Sequence, residues 1–333
     1  VSVFDSDYNK FTNHRHDPFT PTTLSGDKIQ FITEGSNGNM LIATDGNGLD
    51  IFDTTLSTFS HLLPSDQINV KPERFVNTFM GFIRDPADDK IIWFGTQTGI
   101  LKFDIQSGEF KHYNLDKKNA SDPGLVSGRE NVVRDLLIDK EGKFWLATWG
   151  GGLCYFDPEN GTYDIYKYEP IHPVTGYRNN IGRIRWKSTN EIWIAASHRG
   201  VAVFNTEFHT FNFLTDENHQ EPWLKPSELI ADSSGFLWIS SRSNGMMYTN
   251  TKAHHFNKIP VEWPLRGIAA CPNNSGLIYS VIPETYGKMV LLNWETKNFT
   301  SFDYVPNNDM SENYFQAIFC GENQSPFSQK AEK

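Results

Sequence analysis

Short stretches of alternating apolar and polar residues run along the whole chain, separated by turns rich in Gly, Asp, Asn and Pro. One phrase recurs, for example from Leu136 to Asp157: an apolar strand, an acidic turn with Gly, a strand containing Trp, a Gly turn and then Phe-Asp. No segment has sustained helical periodicity, so the pattern predicts β-strands throughout. The Trp position recurs every 40 to 52 residues, at Leu41, Trp93, Trp145, Trp193, Trp238 and Ile278.

A second spacing is constant. Aromatic or apolar residues stand seven positions apart at Phe4/Phe11, Phe52/Phe59, Phe103/Phe110, Phe156/Tyr163, Phe204/Phe211, Thr249/Phe256 and Leu292/Phe299. A hairpin would keep this spacing, because one added residue turns every following side chain to the other face of the strand. The variable lengths between the pairs therefore belong to loops.

Four-stranded units that repeat every 40–50 residues are typical of a β-propeller. In the unit near Val132 we predict strands at 132–138, 143–148, 153–157 and 162–168. The fold class is all-β: a seven-bladed propeller of four-stranded antiparallel blades, closed by pairing of the N- and C-terminal segments. We expect one domain over 1–324 and a tail at 325–333. Its parts are a split blade (1–20 plus 310–324, with a strand at 314–320) and full blades at about 27–63, 75–115, 131–168, 180–214, 227–260 and 265–305.

Composition narrows the function. The 333 residues are 38% hydrophobic and 14% aromatic, enough for a large core, and 40 acidic against 30 basic residues give a formal charge of −10. That charge repels nucleic acids and anionic lipid, so we exclude both as main partners. No apolar run is long enough to span a membrane. Because the chain begins within the repeat, we expect it to be a piece of a longer protein.

The repeated phrase D-x-x-G-x-hydrophobic-Trp, then Gly-Gly and Phe-Asp, resembles the two-component regulator propeller repeat. The linkers at 16–29 (HDPFTPTTLSGDKI) and 119–132 (NASDPGLVSGRENV) resemble it as well. The blade at 265–305 departs from it by lacking the Trp and the acidic turn residue.

In that family such propellers form the extracytoplasmic sensor of membrane histidine kinases, and they are especially common in hybrid two-component systems of Bacteroidetes that sense polysaccharide breakdown products. The resemblance implies a non-enzymatic, periplasmic sensor domain, tethered to the inner membrane only through other parts of the parent chain. It implies an oligosaccharide ligand, for which we include anionic sugars, and a neighbouring propeller or second sensor chain as partner. It implies no cofactor.

Loops from the second to the third strand, and from the fourth strand to the next blade, share one face of a propeller. Loops on a rigid scaffold are the usual place for binding. The ligand-binding candidates there are Trp149, Arg183, His198, Arg199, Arg242, Asn244, Arg266 and Tyr286. Aromatic rings could stack on a sugar, and clustered arginines could bind a carboxylate or sulfate. The alternative for Trp149 is edge packing, and for the arginines it is ion pairing with Asp135, Glu130 or Glu228.

Two other function classes stay open. A propeller lyase or glycosidase can assemble its catalytic residues from separate blades, and His198 with Glu284 is the pair to test, although no G-x-S-x-G, H-E-x-x-H or P-loop is present. A purely structural interaction propeller is the third class. We assign no catalytic residue and no metal site: Asp45, Asp139 and Asp232 are expected in turns, and Cys154, Cys271 and Cys320 in the core.

Overall fold

The structure is a computed structural model, and it describes residues 1–5, 10–70, 73–115, 132–168, 179–197, 199–214, 226–231, 235–241, 245–250, 257–259, 265–270, 277–281, 288–293 and 298–303. The chain divides into two compact units, one of Val1–Leu63 with Arg266–Lys333 and one of Pro64–Leu265. Among the described residues, no helix has the length and apolar character needed to cross a membrane.

The N-terminal part of the first unit contains a two-stranded and a four-stranded antiparallel sheet. The strands are β1 (Ser2–Asp5), β2 (Lys10–Asn13), β3 (Ile29–Glu34), β4 (Met40–Thr44), β5 (Leu49–Asp53) and β6 (Thr58–Leu62). His14, which follows β2, packs its ring on Phe52 and Phe59, at centroid distances of 4.9 and 5.4 Å.

The second unit contains four antiparallel sheets in its described part, each with its four strands in sequence order. Its elements are α1 (Pro64–Gln67), α2 (Glu73–Val76), β7 (Phe79–Arg84), β8 (Ile91–Thr96), β9 (Gly99–Asp104), β10 (Phe110–Tyr113), β11 (Val133–Ile138), β12 (Phe144–Thr148), β13 (Leu153–Phe156), β14 (Tyr163–Tyr166), β15 (Ile181–Ser188), β16 (Glu191–Ala196), β17 (Gly200–Asn205), β18 (Thr210–Phe213), β19 (Pro226–Ala231), β20 (Phe236–Ser241), β21 (Gly245–Asn250) and β22 (Asn257–Ile259). A last four-stranded sheet, which apart from Leu265 belongs to the first unit, is formed by β23 (Leu265–Ala270), β24 (Leu277–Val281), β25 (Lys288–Asn293) and β26 (Asn298–Asp303).

These sheets are the blades of an all-β propeller, as the repeat predicts. The described residues form six four-stranded sheets and one two-stranded sheet. The strand expected at 314–320 lies outside the described residues, so the split seventh blade and the closure through it stay predictions. The sequence did not predict the helices α1 and α2, because a single helical turn is too short to show a periodicity of 3.6 residues.

The constant seven-residue spacing is confirmed as a cross-strand pairing between the third and fourth strands of a blade. Register partners include Phe52 with Phe59, Phe103 with Phe110 and Phe204 with Phe211. The ring centroids of these pairs lie 4.6 to 4.7 Å apart. Each pair thus adds an aromatic contact to the ladder of its hairpin. Phe4/Phe11, Phe156/Tyr163 and Leu292/Phe299 are register partners as well, and Phe256 lies outside the described residues.

The recurring Trp packs one blade onto the next within the second unit. Trp93 of β8 lies 4.6 Å from the ring of Phe144 in the following sheet, and Trp145 of β12 lies 5.4 Å from Phe204. Trp193 is 1% exposed and shares a core cluster with Leu229 of the sheet after it. The first strands of these sheets, β7, β11, β15 and β19, are likewise neighbours in sequence order. Cys154 is buried in this core, as expected; Cys271 and Cys320 lie outside the described residues.

Candidate functional site

The sequence favours the face of the second-to-third strand turns for ligand binding, and part of that face lies within the described residues. Trp149 follows β12, is half-buried, and donates its backbone N–H to the carbonyl of Val132. The guanidinium group of Arg134 lies 5.1 Å from the centroid of its ring, a cation–π contact. Arg199, in the turn between β16 and β17, places its guanidinium group 4.6 Å from the ring centroid of Phe213. Trp149 and Arg199 therefore have intramolecular packing partners on this face.

Arg183 has a carboxylate partner inside the protein. Its Nε lies 2.8 Å from Oε2 of Glu228 on β19, and its Nη1 donates to the carbonyl of Arg134 at 3.3 Å. Burial lowers the pKa of Arg183, but the charges of Glu228 and Asp135 more than offset that, so its pKa lies above the ordinary value. For this residue the structure shows ion pairing, the alternative to ligand binding.

The same ion-pair network contains Arg185, which the sequence reasoning missed. Its Nη1 lies 2.5 Å from Oδ2 of Asp135 on β11, and its Nη2 lies 3.0 Å from Oε1 of Glu228. Asp135 is 5% exposed and also accepts the backbone N–H of Ile184. Residues two apart lie on one face of a strand, so the R-x-R spacing on β15 was the available signal. The network joins the first strands of three successive blades.

Of the remaining candidates, one belongs to the described residues. Arg266 is the second residue of β23. His198, Arg242, Asn244 and Tyr286 lie outside the described residues, as do Glu284, Glu130 and Asp232.

The described part of the second unit contains an open cavity of about 620 Å³ between the blade of β11–β14 and the blade of β15–β18. It is lined by Ile138, Asp139, Lys140, Glu141, Trp145, Tyr155, Asp164, Tyr166, Trp186, Ser188, Thr189, Asn190, Thr206 and His209. Most of these residues come from first-to-second and third-to-fourth strand turns and the strand ends beside them, whereas Tyr166 is the last residue of β14, away from its turn. In an antiparallel sheet those turns lie at the opposite end from second-to-third turns, so this interblade groove is not on the face expected to bind.

A hydrogen bond to Asp139 holds Tyr155 in the wall of the interblade groove. The hydroxyl of Tyr155 donates to Oδ2 of Asp139 at 2.6 Å, and Asp139 also accepts the turn N–H groups of Glu141 and Lys143. This confirms the turn role expected for Asp139. Burial, and then the bond to Asp139, raise the pKa of Tyr155, so its hydroxyl stays protonated and donates.

The outer wall is built from Tyr166 and His209. Their ring centroids are 4.6 Å apart, and the Tyr166 hydroxyl lies 3.4 Å from Nε2 of His209. Burial raises the pKa of Tyr166, and Asp164 adds to the shift. Tyr166 also packs at 5.7 Å against Trp145, whose ring is 4% exposed.

Comparisons with known proteins agree with the repeat. Residues 127–150 match the family model "Two component regulator propeller". The chain is 28% identical to histidine kinase P4 of Formosa agariphila over 117 residues, which are 34% of this chain and 8% of that protein. The resemblance predicted from the sequence is confirmed: the chain carries a two-component regulator propeller repeat.

Two solved structures show the same fold. Both are described as extracellular domains of hybrid two-component systems of B. thetaiotaomicron. The first, BT3049, has a TM-score of 0.63 at 20% identity and covers 84% of this chain and 35% of that one. The second, BT4673, has a TM-score of 0.55 at 15% identity, and the match covers 93% of this chain and 47% of that one. The chain spans less than half the length of each of these proteins.

Proposed function

We propose that the chain is a non-enzymatic, ligand-sensing propeller from the extracytoplasmic, periplasmic region of a membrane-bound two-component regulator, and that it responds to oligosaccharides. The observation that carries the proposal is the match of residues 127–150 to the regulator propeller family within an all-β array of four-stranded blades. The histidine kinase relative and the extracellular domains with the same fold support the same context.

We propose further that the propeller has seven blades. The two-stranded sheet β1–β2 would be completed by the segment near 314–320, which removes the open edge that an incomplete ring exposes. Other parts of the parent chain would tether the domain to the inner membrane. A neighbouring propeller or a second sensor chain would receive the signal, because a ligand shifts an equilibrium only by binding one arrangement better than the other.

The face of the second-to-third strand turns stays a proposed ligand face. Its candidates are Trp149, His198, Arg199, Arg242, Asn244, Arg266 and Tyr286, whereas Arg183 is held by Glu228. An anionic sugar would suit the arginines of this face, since guanidinium groups bind carboxylates and sulfates through paired hydrogen bonds.

A thermal-shift screen of residues 1–333 against neutral, uronic-acid and sulfated oligosaccharides tests the function. A ligand at about 100 times its Kd adds about 2.7 kcal/mol of stability and raises Tm measurably. We expect one glycan class to raise Tm. Loss of that shift in Arg199→Ala and Arg242→Ala would assign the ligand to the arginine-bearing face. If no glycan raises Tm, oligosaccharide sensing by this domain is wrong, and a structural propeller becomes the better explanation.

A further inference from the structure

We infer that the interblade groove is a binding site for a neutral oligosaccharide. The inference rests on the proposed function in that it takes the ligand to be a glycan, and it goes beyond that function by assigning a different face and a ligand charge. The cavity of about 620 Å³ falls within the range of about 300–1,000 Å³ usual for small-molecule sites. It lies wholly within the second unit.

The lining has the two kinds of group that bind a sugar. Tyr155, Tyr166 and Trp186 are half-buried aromatic side chains, which can cover the apolar face of a pyranose ring. Hydroxyl and amide side chains at the rim can donate to and accept from sugar hydroxyls; they are Ser188, Thr189, Asn190 and Thr206. Tyr155 and Tyr166 belong to the blade of β11–β14, whereas Trp186 and the polar rim belong to the blade of β15–β18, so one ligand in the groove would contact both blades.

The charges favour a neutral ligand. Three carboxylates and one ammonium group line the groove, which repels an anionic sugar. A cation is not favoured either, because two of those carboxylates already have partners. Asp139 accepts from Tyr155 and from its own turn, and Glu141 lies 3.7 Å from Nζ of Lys140.

His209 is an independent indication that the groove is a built site. It has φ of 56°, at a turn position where two other blades have Gly108 with φ of 75° and Gly161 with φ of 72°. A left-handed backbone is unfavourable for a residue with a side chain, and Ser57 is the other described non-glycine residue at this turn position. The imidazole that replaces glycine here packs against Tyr166, with the two rings tilted by 37°, and extends the wall of the groove.

Trp186 departs from the other blades in a similar way. The neighbours of Trp145 and Trp193 in the cross-strand register are Leu137 and Arg185, and the next residues along those first strands are Ile138 and Trp186. The blade of β15–β18 therefore has an indole where the preceding blade has an isoleucine, at the edge of the groove.

Isothermal titration of residues 1–333 tests the inference. Cellotetraose, xylotetraose and maltotetraose serve as neutral probes, trigalacturonate as the anionic probe and choline as the cationic probe. We expect a neutral probe to bind, and Trp186→Ala and His209→Gly to weaken that binding tenfold or more. His209→Gly should keep or raise Tm, because glycine accepts the left-handed backbone. If Trp186→Ala loses structure, Trp186→Leu keeps apolar bulk without the ring face.

Matched controls lie close by. Ser57→Gly makes the same backbone change at the other described non-glycine position of this turn, with φ of 56°. Phe208→Ala removes an aromatic ring that is 70% exposed beside His209 but does not line the groove. Neither substitution, nor Arg199→Ala on the other face, should change the affinity.

The outcomes distinguish failure of the groove site from failure of the proposed function. Neutral-glycan binding that survives both groove substitutions leaves oligosaccharide sensing standing and overturns the groove site. Stronger binding of trigalacturonate or choline that both groove substitutions abolish overturns the neutral ligand, whereas trigalacturonate binding that only Arg199→Ala weakens belongs to the arginine-bearing face. Absence of binding by every neutral probe overturns the groove site; it also overturns the proposed function only if the thermal-shift screen detects no glycan of any class.

Discussion

The hydroxyl group of Tyr155 donates a 2.6 Å hydrogen bond to Oδ2 of Asp139. In the preceding blade the corresponding residue, Asp85, the first after its strand, instead accepts the indole N–H of Trp93 at 2.8 Å. One turn position thus supports two different aromatic side chains. In the blade of β11–β14 the ring of Trp145 packs against two tyrosines, with ring centroids 4.5 Å from Tyr155 and 5.7 Å from Tyr166.

A double-mutant cycle measures the bond between Tyr155 and Asp139. Tyr155→Phe and Asp139→Asn should each destabilise the fold, and the pair should show a coupling energy of about 1–2 kcal/mol, as expected for a hydrogen bond to a charged acceptor. Urea denaturation of the parent and the three variants gives the value. Additive effects would mean that the bond contributes nothing.

Glu228 forms ion pairs with two arginines, so removing its charge should destabilise the fold more than removing the charge of an exposed ion-pair partner. We expect Glu228→Gln to lower the free energy of unfolding by about 1.5–3 kcal/mol, because Arg183 and Arg185 lose a charged acceptor at 2.8 and 3.0 Å. The control is Glu141→Gln, whose partner Lys140 is 78% exposed; it should change stability by less than about 0.5 kcal/mol. Equal effects of the two substitutions would contradict a structural role for the network.

Close approach of two blades requires glycine at position 81. A Cβ atom there would lie 2.5 Å from the carbonyl oxygen of Arg134 in the next blade, and a backbone atom cannot move aside as a flexible side chain can. Gly81→Ala should therefore cost about 1–3 kcal/mol. In Gly182→Ala, also on a first strand, the nearest atom would be 3.8 Å away, an ordinary contact. Thermal unfolding should show a lower Tm for Gly81→Ala only.

Acidification should destabilise the protein through His112. Burial lowers its pKa below the ordinary value of about 6.5, and its hydrogen bond to the Thr98 carbonyl at 2.7 Å only partly offsets this. Below about pH 6.5 the unfolded chain therefore takes up a proton before the folded one, and stability is lost as the pH falls. We expect Tm to fall less between pH 7.5 and 5.5 in His112→Gln than in the parent. An equal fall in Tm in the two proteins would show that His112 does not contribute to the loss of stability in acid.

Much of the fold could be predicted from the sequence, because its signals are local. Alternation of period two and a hairpin spacing of seven residues do not depend on distant contacts, so the pairing of Phe204 with Phe211 was predictable. The strands near Val132 are confirmed at 133–138, 144–148, 153–156 and 163–166.

The site was less accessible to sequence reasoning. Trp149 and Arg199 were predicted as ligand contacts from their loop position and side-chain type, and in the structure Trp149 contacts Arg134 and Arg199 contacts Phe213. Arg185 was overlooked because its partners, Asp135 and Glu228, are more than 40 residues away along the chain and on other blades.

The sequence by itself determined the strands, their order within each blade and the hairpin register, since these follow from residue-to-residue periodicity. Only the tertiary structure decided which blade faces meet, and so which side chains share a cavity. Tyr166 and His209 lie 43 residues apart and touch because the faces of two blades pack together around Trp145. A contact of that kind depends on the packing of whole sheets, and no local pattern encodes it.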